Sequence, residues 1–164
     1  MAVAVGSTLP DVELLTWTGT AVERESAKTL VATGKTMVVG VVGAFTPVCS
    51  GSHLPEYVPL IPTLKESGLI HRFICVGVVD PFVMHAWGEH LDALELIEMW
   101  SDADAEFAKA IGITADFSEA GLGLRGGRFS MVVNNGVIEM LNVEDDPSIV
   151  SVSGAEEMER QLVA

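Results

Sequence analysis

The sequence predicts a single α/β domain with a central mixed β-sheet and helices on both faces. Three observations carry this. Short apolar runs alternate with helical segments along most of the chain. Two of those runs, residues 36–42 and 72–79, are apolar almost throughout, as strands covered on both faces must be. The chain then closes with a hairpin and a helix, so the sheet is mixed rather than wholly parallel. Its 164 residues suit one domain, 1–164, with one substantial core. No internal repeat, low-complexity tract or linker interrupts it.

Each element has a local reason. Residues 12–17 read as a short strand, with Thr18-Gly19-Thr20 as its turn. Residues 26–33 form a short helix closed by Gly34. Residues 36–42 are a central strand. A helical segment follows Cys49 and stops at Gly68. Pro55, Pro59 and Pro62 lie inside it and should kink or break it. Residues 72–79 are a second central strand. Asp80-Pro81 supplies an N-cap and a first-turn proline for a helix through Trp87. Residues 94–100 read as a strand, and 102–111 as a helix ended by Gly112. Strands 128–133 and 137–143 flank Asn134-Asn135-Gly136, a strong hairpin signal. Residues 154–162 form the closing helix.

Composition narrows the function. The formal net charge is −14, which disfavours nucleic acid and anionic membranes as partners. No apolar run reaches membrane-spanning length. Two cysteines, Cys49 and Cys75, make a disulfide scaffold unexpected and point to a reducing compartment. No Cys-x-x-Cys pair is present. The N-terminus lacks a signal-peptide pattern. The cytoplasm is therefore expected, or a mitochondrion if a transit peptide has been removed. No cofactor is expected, and the four histidines offer no convincing metal cluster.

Cys49 is the outstanding residue. It follows a buried strand and the turn Gly43-Ala44-Phe45-Thr46-Pro47, where a helix should begin. Unpaired N–H groups and partial positive charge at a helix start favour a thiolate, the reactive form of cysteine. Thr46 lies one helical turn earlier, so its hydroxyl can face the sulfur or cap the helix. Arg128 opens a strand and can present a guanidinium to an anion. Arg125 competes with it, and spacing does not separate the two. Cys75 sits mid-strand and reads as an inert core thiol. His53 shares the helical face of Cys49, which raises a Cys–His hydrolase as a distant option. No third orienting group is evident for it. Phe45, Phe82, Met84 and Trp87 read as core or pocket wall, with core the default.

These residues also carry a resemblance. Gly43-Ala44-Phe45-Thr46-Pro47-Val48-Cys49-Ser50 with His53-Leu54-Pro55 resembles the active-site segment of the peroxiredoxin 5, or plant type II, subfamily. Asp80-Pro81-Phe82-Val83-Met84 with Ala86-Trp87-Gly88 follows in order. So do Gly121-Leu122-Gly123-Leu124-Arg125, Arg128-Phe129-Ser130-Met131-Val132-Val133 and Leu141-Asn142-Val143-Glu144. The resemblance implies a thioredoxin-like fold and a thiol-dependent, antioxidant peroxidase acting on hydrogen peroxide and alkyl hydroperoxides. Cys49 then takes the place of the peroxidatic cysteine, Thr46 that of the motif threonine, and Arg128, not Arg125, that of the arginine. It further implies a homodimer. Because Cys75 sits on a buried strand and no cysteine stands near the C-terminus, an external thiol is the expected reductant, either glutathione with glutaredoxin or a thioredoxin-like protein.

The chain departs from that pattern in three places. Val42 stands where the motif has proline. Val79 stands where an asparagine is usual. Ser151-Val152-Ser153 replaces the animal-type resolving cysteine, while Cys75 matches the second cysteine of plant-type members. The alternative function is a non-enzymatic thiol redox sensor, which the missing proline favours.

Overall fold

The computed structural model describes residues 2–164. Nine strands and six α-helices follow in order: β1 Glu13–Trp17, β2 Val22–Ser26, α1 Ala27–Leu30, β3 Lys35–Val41, α2 Leu54–Tyr57, α3 Ile61–Glu66, β4 Arg72–Gly77, α4 Pro81–His90, β5 Glu98–Ser101, α5 Glu106–Ile111, β6 Thr114–Phe117, β7 Gly123–Gly126, β8 Phe129–Asn134, β9 Val137–Val143 and α6 Ala155–Val163. A π-helical turn, Cys49–His53, precedes α2, and a 3₁₀ turn, Ser118–Ala120, precedes β7.

Seven strands form one mixed sheet in the order β2-β1-β5-β4-β3-β8-β9. The β3–β4 and β4–β5 pairs are parallel, and β3–β8 and β8–β9 are antiparallel. Side chains alternate along each central strand and both faces are covered. Met37, Val39 and Val41 of β3 join Phe73 and Cys75 of β4 in one core with α2, α3, α4 and α6. Val38, Ile74 and Val76 enter the opposite core with α1 and α5. Burial on both faces explains why these strands read as continuous apolar runs. Gly40 is required at its position, since a Cβ there would lie 2.1 Å from the Phe129 ring.

Several elements are shorter than expected. The segment after Cys49 breaks into the π-turn, α2 and α3, with Pro55 and Pro62 in the first turns of the two helices. The expected strand at 94–100 shrinks to β5, because Ile97 N–H bonds back to Ala93 and the chain turns there. The helix expected from Asp102 starts at Glu106. Asp102 sits outside it, and its carboxylate accepts the Phe107 and Ala108 N–H groups. Strand β2 was not legible in the sequence, being a charged edge strand with four of five residues exposed. Such charge protects an edge from pairing with other chains. The small β6–β7 pair was also missed. The hairpin is as expected, with Asn135 at φ 49° and Gly136 at φ 84°, the two positive angles of a type I′ turn.

Candidate active site

Cys49 lies one turn beyond the end of β3. Phe45 adopts φ 62° in the intervening turn, an uncommon conformation for a bulky residue and one that clusters at functional sites. Pro47 and Val48 then wind helically, and Cys49 opens the π-turn. The Leu54 N–H reaches the Cys49 carbonyl, the wider spacing of a π-bulge. Cys49 is completely buried. Trp87 donates its indole N–H to the hydroxyl of Ser50 at 2.9 Å, tying α4 to the residue beside the cysteine.

The expected partners of the sulfur are nearby in sequence or fold but bond elsewhere. Thr46 donates its hydroxyl to the Gly43 carbonyl at 2.7 Å, so its proton does not face Cys49. Its oxygen lone pairs stay available as acceptors. Among the described residues, no side-chain hydrogen bond reaches the Cys49 sulfur.

Arg128 is almost fully buried. Its Nε donates to the Pro147 carbonyl at 2.9 Å, and Nη1 donates to His53 Nδ1 at 2.8 Å. That donation fixes the tautomer of His53: Nδ1 is the acceptor, and the proton sits on Nε2, which donates to the Ser153 carbonyl at 3.2 Å. Arg125 has different partners. Its Nε donates to Leu122 O and its Nη1 to Val78 O, and it presses on Gly43, where a Cβ would lie 2.8 Å from Nη1.

Spacing did not reveal the groups that support this pair. The Ser153 carbonyl also accepts from Tyr57 and Ser130 hydroxyls. Glu144 accepts the Ser151, Val152 and Ser153 N–H groups and the Ser153 hydroxyl. Burial raises the pKa of Glu144, but these donors outweigh it and leave the carboxyl below its usual value. Glu144 was legible only as the last residue of a motif block. Tyr57 gave no signal, because its partners Ser130 and Ser153 lie 73 and 96 residues away, and nothing in the motif blocks that hold Ser130 and Ser153 pointed to these bonds.

His53 is thus a buried neutral base whose two ring nitrogens bond across the fold, to Arg128 and Ser153. Burial, and then Arg128, lower its pKa from 6.5 to about 4. As pH falls, the unfolded chain takes up this proton first. The stability from a neutral His53 is complete above about 6.5 and is lost down to about 4. The loss is on the order of 3 kcal/mol. The urea midpoint of the native protein is expected to fall through this window more steeply than that of His53→Gln; parallel curves would refute the assignment.

Cys75 lies on β4, on the same core face as Cys49. Its thiol is raised well above the usual value, by burial first and by Cys49 second. Both cysteines are free. Of the residues read as core, Trp87 and Met84 are buried, while Phe45 and Phe82 are about half exposed. The Phe45 ring lies 5.5 Å from that of His90, at the mouth of the turn. Val42 is buried in the core one residue past β3. Among the described residues no group of three His, Cys, Asp or Glu could hold a metal ion, and no helix is long and apolar enough to cross a membrane.

Comparison with known proteins agrees with this arrangement. Residues 4–158 match the Redoxin family. The chain is 37% identical to peroxiredoxin-2C of Oryza sativa subsp. japonica, over 98% of each. It is 43% identical to mitochondrial peroxiredoxin-2F of Arabidopsis thaliana over 74% of its own length, and it spans 60% of that longer relative. The crystal structure of reduced Prx3 from Vibrio vulnificus in complex with hydrogen peroxide superposes with a TM-score of 0.91. That protein is 42% identical, with 98% of this chain and 96% of that one covered. A thioredoxin-like mixed sheet, a buried cysteine at a π-turn and these relatives converge on one conclusion: the chain belongs to the Redoxin family, among the peroxiredoxins, which are thiol-dependent peroxidases.

Proposed function

We propose that Cys49 is the peroxidatic cysteine of a peroxidase that reduces hydrogen peroxide and alkyl hydroperoxides. The observation that carries this is the placement of Cys49 at the opening of the π-turn whose last residue, His53, is bonded to the buried guanidinium of Arg128. The Cys49 thiolate attacks one peroxide oxygen, forming the S–O bond as the O–O bond breaks. Cys49 becomes a sulfenic acid and the second oxygen leaves as hydroxide or alkoxide, then takes a proton. Thr46, its own proton held by Gly43, accepts the hydrogen bond of the peroxide O–H. Arg128 Nη2, without a partner among the described residues, stabilises the charge building on the leaving oxygen. The rigid anchoring of Arg128 means little reorganisation is needed as that charge develops.

An external thiol completes the cycle. It attacks the sulfenic acid, releasing water and leaving a mixed disulfide, and a second thiol frees Cys49. Cys75 is a poor internal partner, since its sulfur is buried mid-sheet and its thiol is raised far from the reactive form. Glutathione with glutaredoxin, or a thioredoxin-like protein, fits this role in a reducing compartment, the cytoplasm or a mitochondrion. A homodimer belongs to the same reading, by likeness to the family. Peroxide consumption with each reducing system tests the reading, and no consumption with either would overturn it.

The second reading, a redox sensor that oxidises without efficient turnover, rests on Val42. Proline there would fix φ at one end of the active-site turn; valine leaves the turn looser. Val42→Pro is expected to raise the peroxide concentration needed for inactivation by sulfinic acid, with turnover equal or faster. Unchanged rate and unchanged overoxidation in a folded variant would show that Val42 packs as well as proline does.

A further inference from the structure

Building on the peroxidase reading, we propose that Arg125 is a carboxylate-recognition residue at the mouth of the Cys49 turn, selecting acidic co-substrates over neutral ones. The chain has 23 carboxylate residues against nine basic ones. Three of its five arginines, Arg24, Arg72 and Arg160, hold a carboxylate within 4 Å. Arg125 and Arg128 hold none among the described residues, and both converge on the segment that carries Cys49. For Arg128, the buried charge is accounted for by the oxyanion formed in the reaction. Arg125 needs a different explanation, because its side chain is only partly buried and bonds neither His53 nor the Cys49 sulfur.

The geometry of Arg125 suits recognition. Two main-chain carbonyls, Leu122 O at 2.9 Å and Val78 O at 3.0 Å, hold Nε and Nη1. Both partners are neutral, so they orient the guanidinium without cancelling its charge. Nη2 has no partner among the described residues, which leaves donors for an incoming anion. The group lies over Gly43, and the same point above Gly43 is 3.3 Å from the Thr46 methyl. A residue held this way touches the turn that leads to Cys49 but bonds neither the sulfur nor His53. It is placed for the far end of a substrate whose reacting end sits at Cys49.

The overall charge sharpens the argument. At −14 the protein repels anions, so an acidic co-substrate needs a local cation to approach. The ligand class is a small carboxylate, carried either by a hydroperoxide or by a reducing thiol. A charge-assisted hydrogen bond of this kind changes the rate by about tenfold or more.

Two size-matched pairs distinguish the sources. In stopped-flow oxidation, linoleic acid hydroperoxide is compared with its methyl ester. In the recycling step, glutathione is compared with its diethyl ester. Each pair is run with the native protein, with Arg125→Gln, and with Lys65→Gln as an exposed charge-matched control. The native protein is expected to prefer the acid in at least one arm, by about tenfold relative to Arg125→Gln. Lys65→Gln should keep that preference. The arm in which it appears names the substrate. Equal acid and ester rates in both arms would overturn the proposal, and so would an Arg125→Gln loss that is proportionate for acid and ester, which would mark a packing role. Consumption of hydrogen peroxide by the native protein separates these outcomes from failure of the peroxidase reading, which would overturn both.

Discussion

Cys49→Ser is expected to abolish peroxide reduction while leaving the fold intact. Serine is nearly isosteric at this fully buried position, so the neighbouring core should repack little. The hydroxyl is not ionised near neutral pH and cannot replace a thiolate as nucleophile. Cys75 offers no substitute, because burial on β4 holds its thiol in the neutral form. Hydrogen peroxide consumption and circular dichroism, measured on the same sample, give the check. Retained turnover in a folded Cys49→Ser variant would sink the assignment of the nucleophile.

Arg128→Lys is expected to slow the oxidation step by about 100-fold or more, the usual cost of losing one well-placed donor to developing charge. The guanidinium reaches the Pro147 carbonyl and His53 Nδ1 at once and still presents Nη2. An ammonium keeps the charge but cannot hold two partners in that fixed planar geometry and offer a third direction. His53 would also lose the donor that fixes its tautomer. Arg125→Lys makes the instructive comparison. With hydrogen peroxide, which carries no carboxylate, its loss should be smaller than that of Arg128→Lys. A larger loss at Arg125 in stopped-flow measurements would reverse the two roles.

Much of this protein was legible before folding was considered. The apolar runs of β3 and β4 announced a sheet buried on both faces, since strands of that kind have no polar face to show. Asp80-Pro81, Gly68, Gly112 and Asn135-Gly136 marked their boundaries because capping and positive φ depend on single residue types. Cys49 stood out because the strand–turn–helix order around it is local. Edge strand β2 was invisible for the opposite reason: a solvated charged strand shows no hydrophobic period, and only pairing with β1 makes it a strand. The π-turn was equally hidden, being one extra residue accommodated in a helix by its packing.

What the amino-acid order determined by itself was the central strands and the closing hairpin, the position of the cysteine and the set of candidate groups. The tertiary structure alone decided which groups meet. His53 and Arg128 are 75 residues apart and become partners only when β8 lies beside β3. Glu144, Ser153, Tyr57 and Ser130 join them through the loop after β9. Arg125 and Arg128, three residues apart and alike in sequence context, end with different partners because β7 and β8 belong to different sheets. Local sequence sets backbone preference and burial pattern. Hydrogen-bond partners across long separations follow from strand order, which no short window encodes.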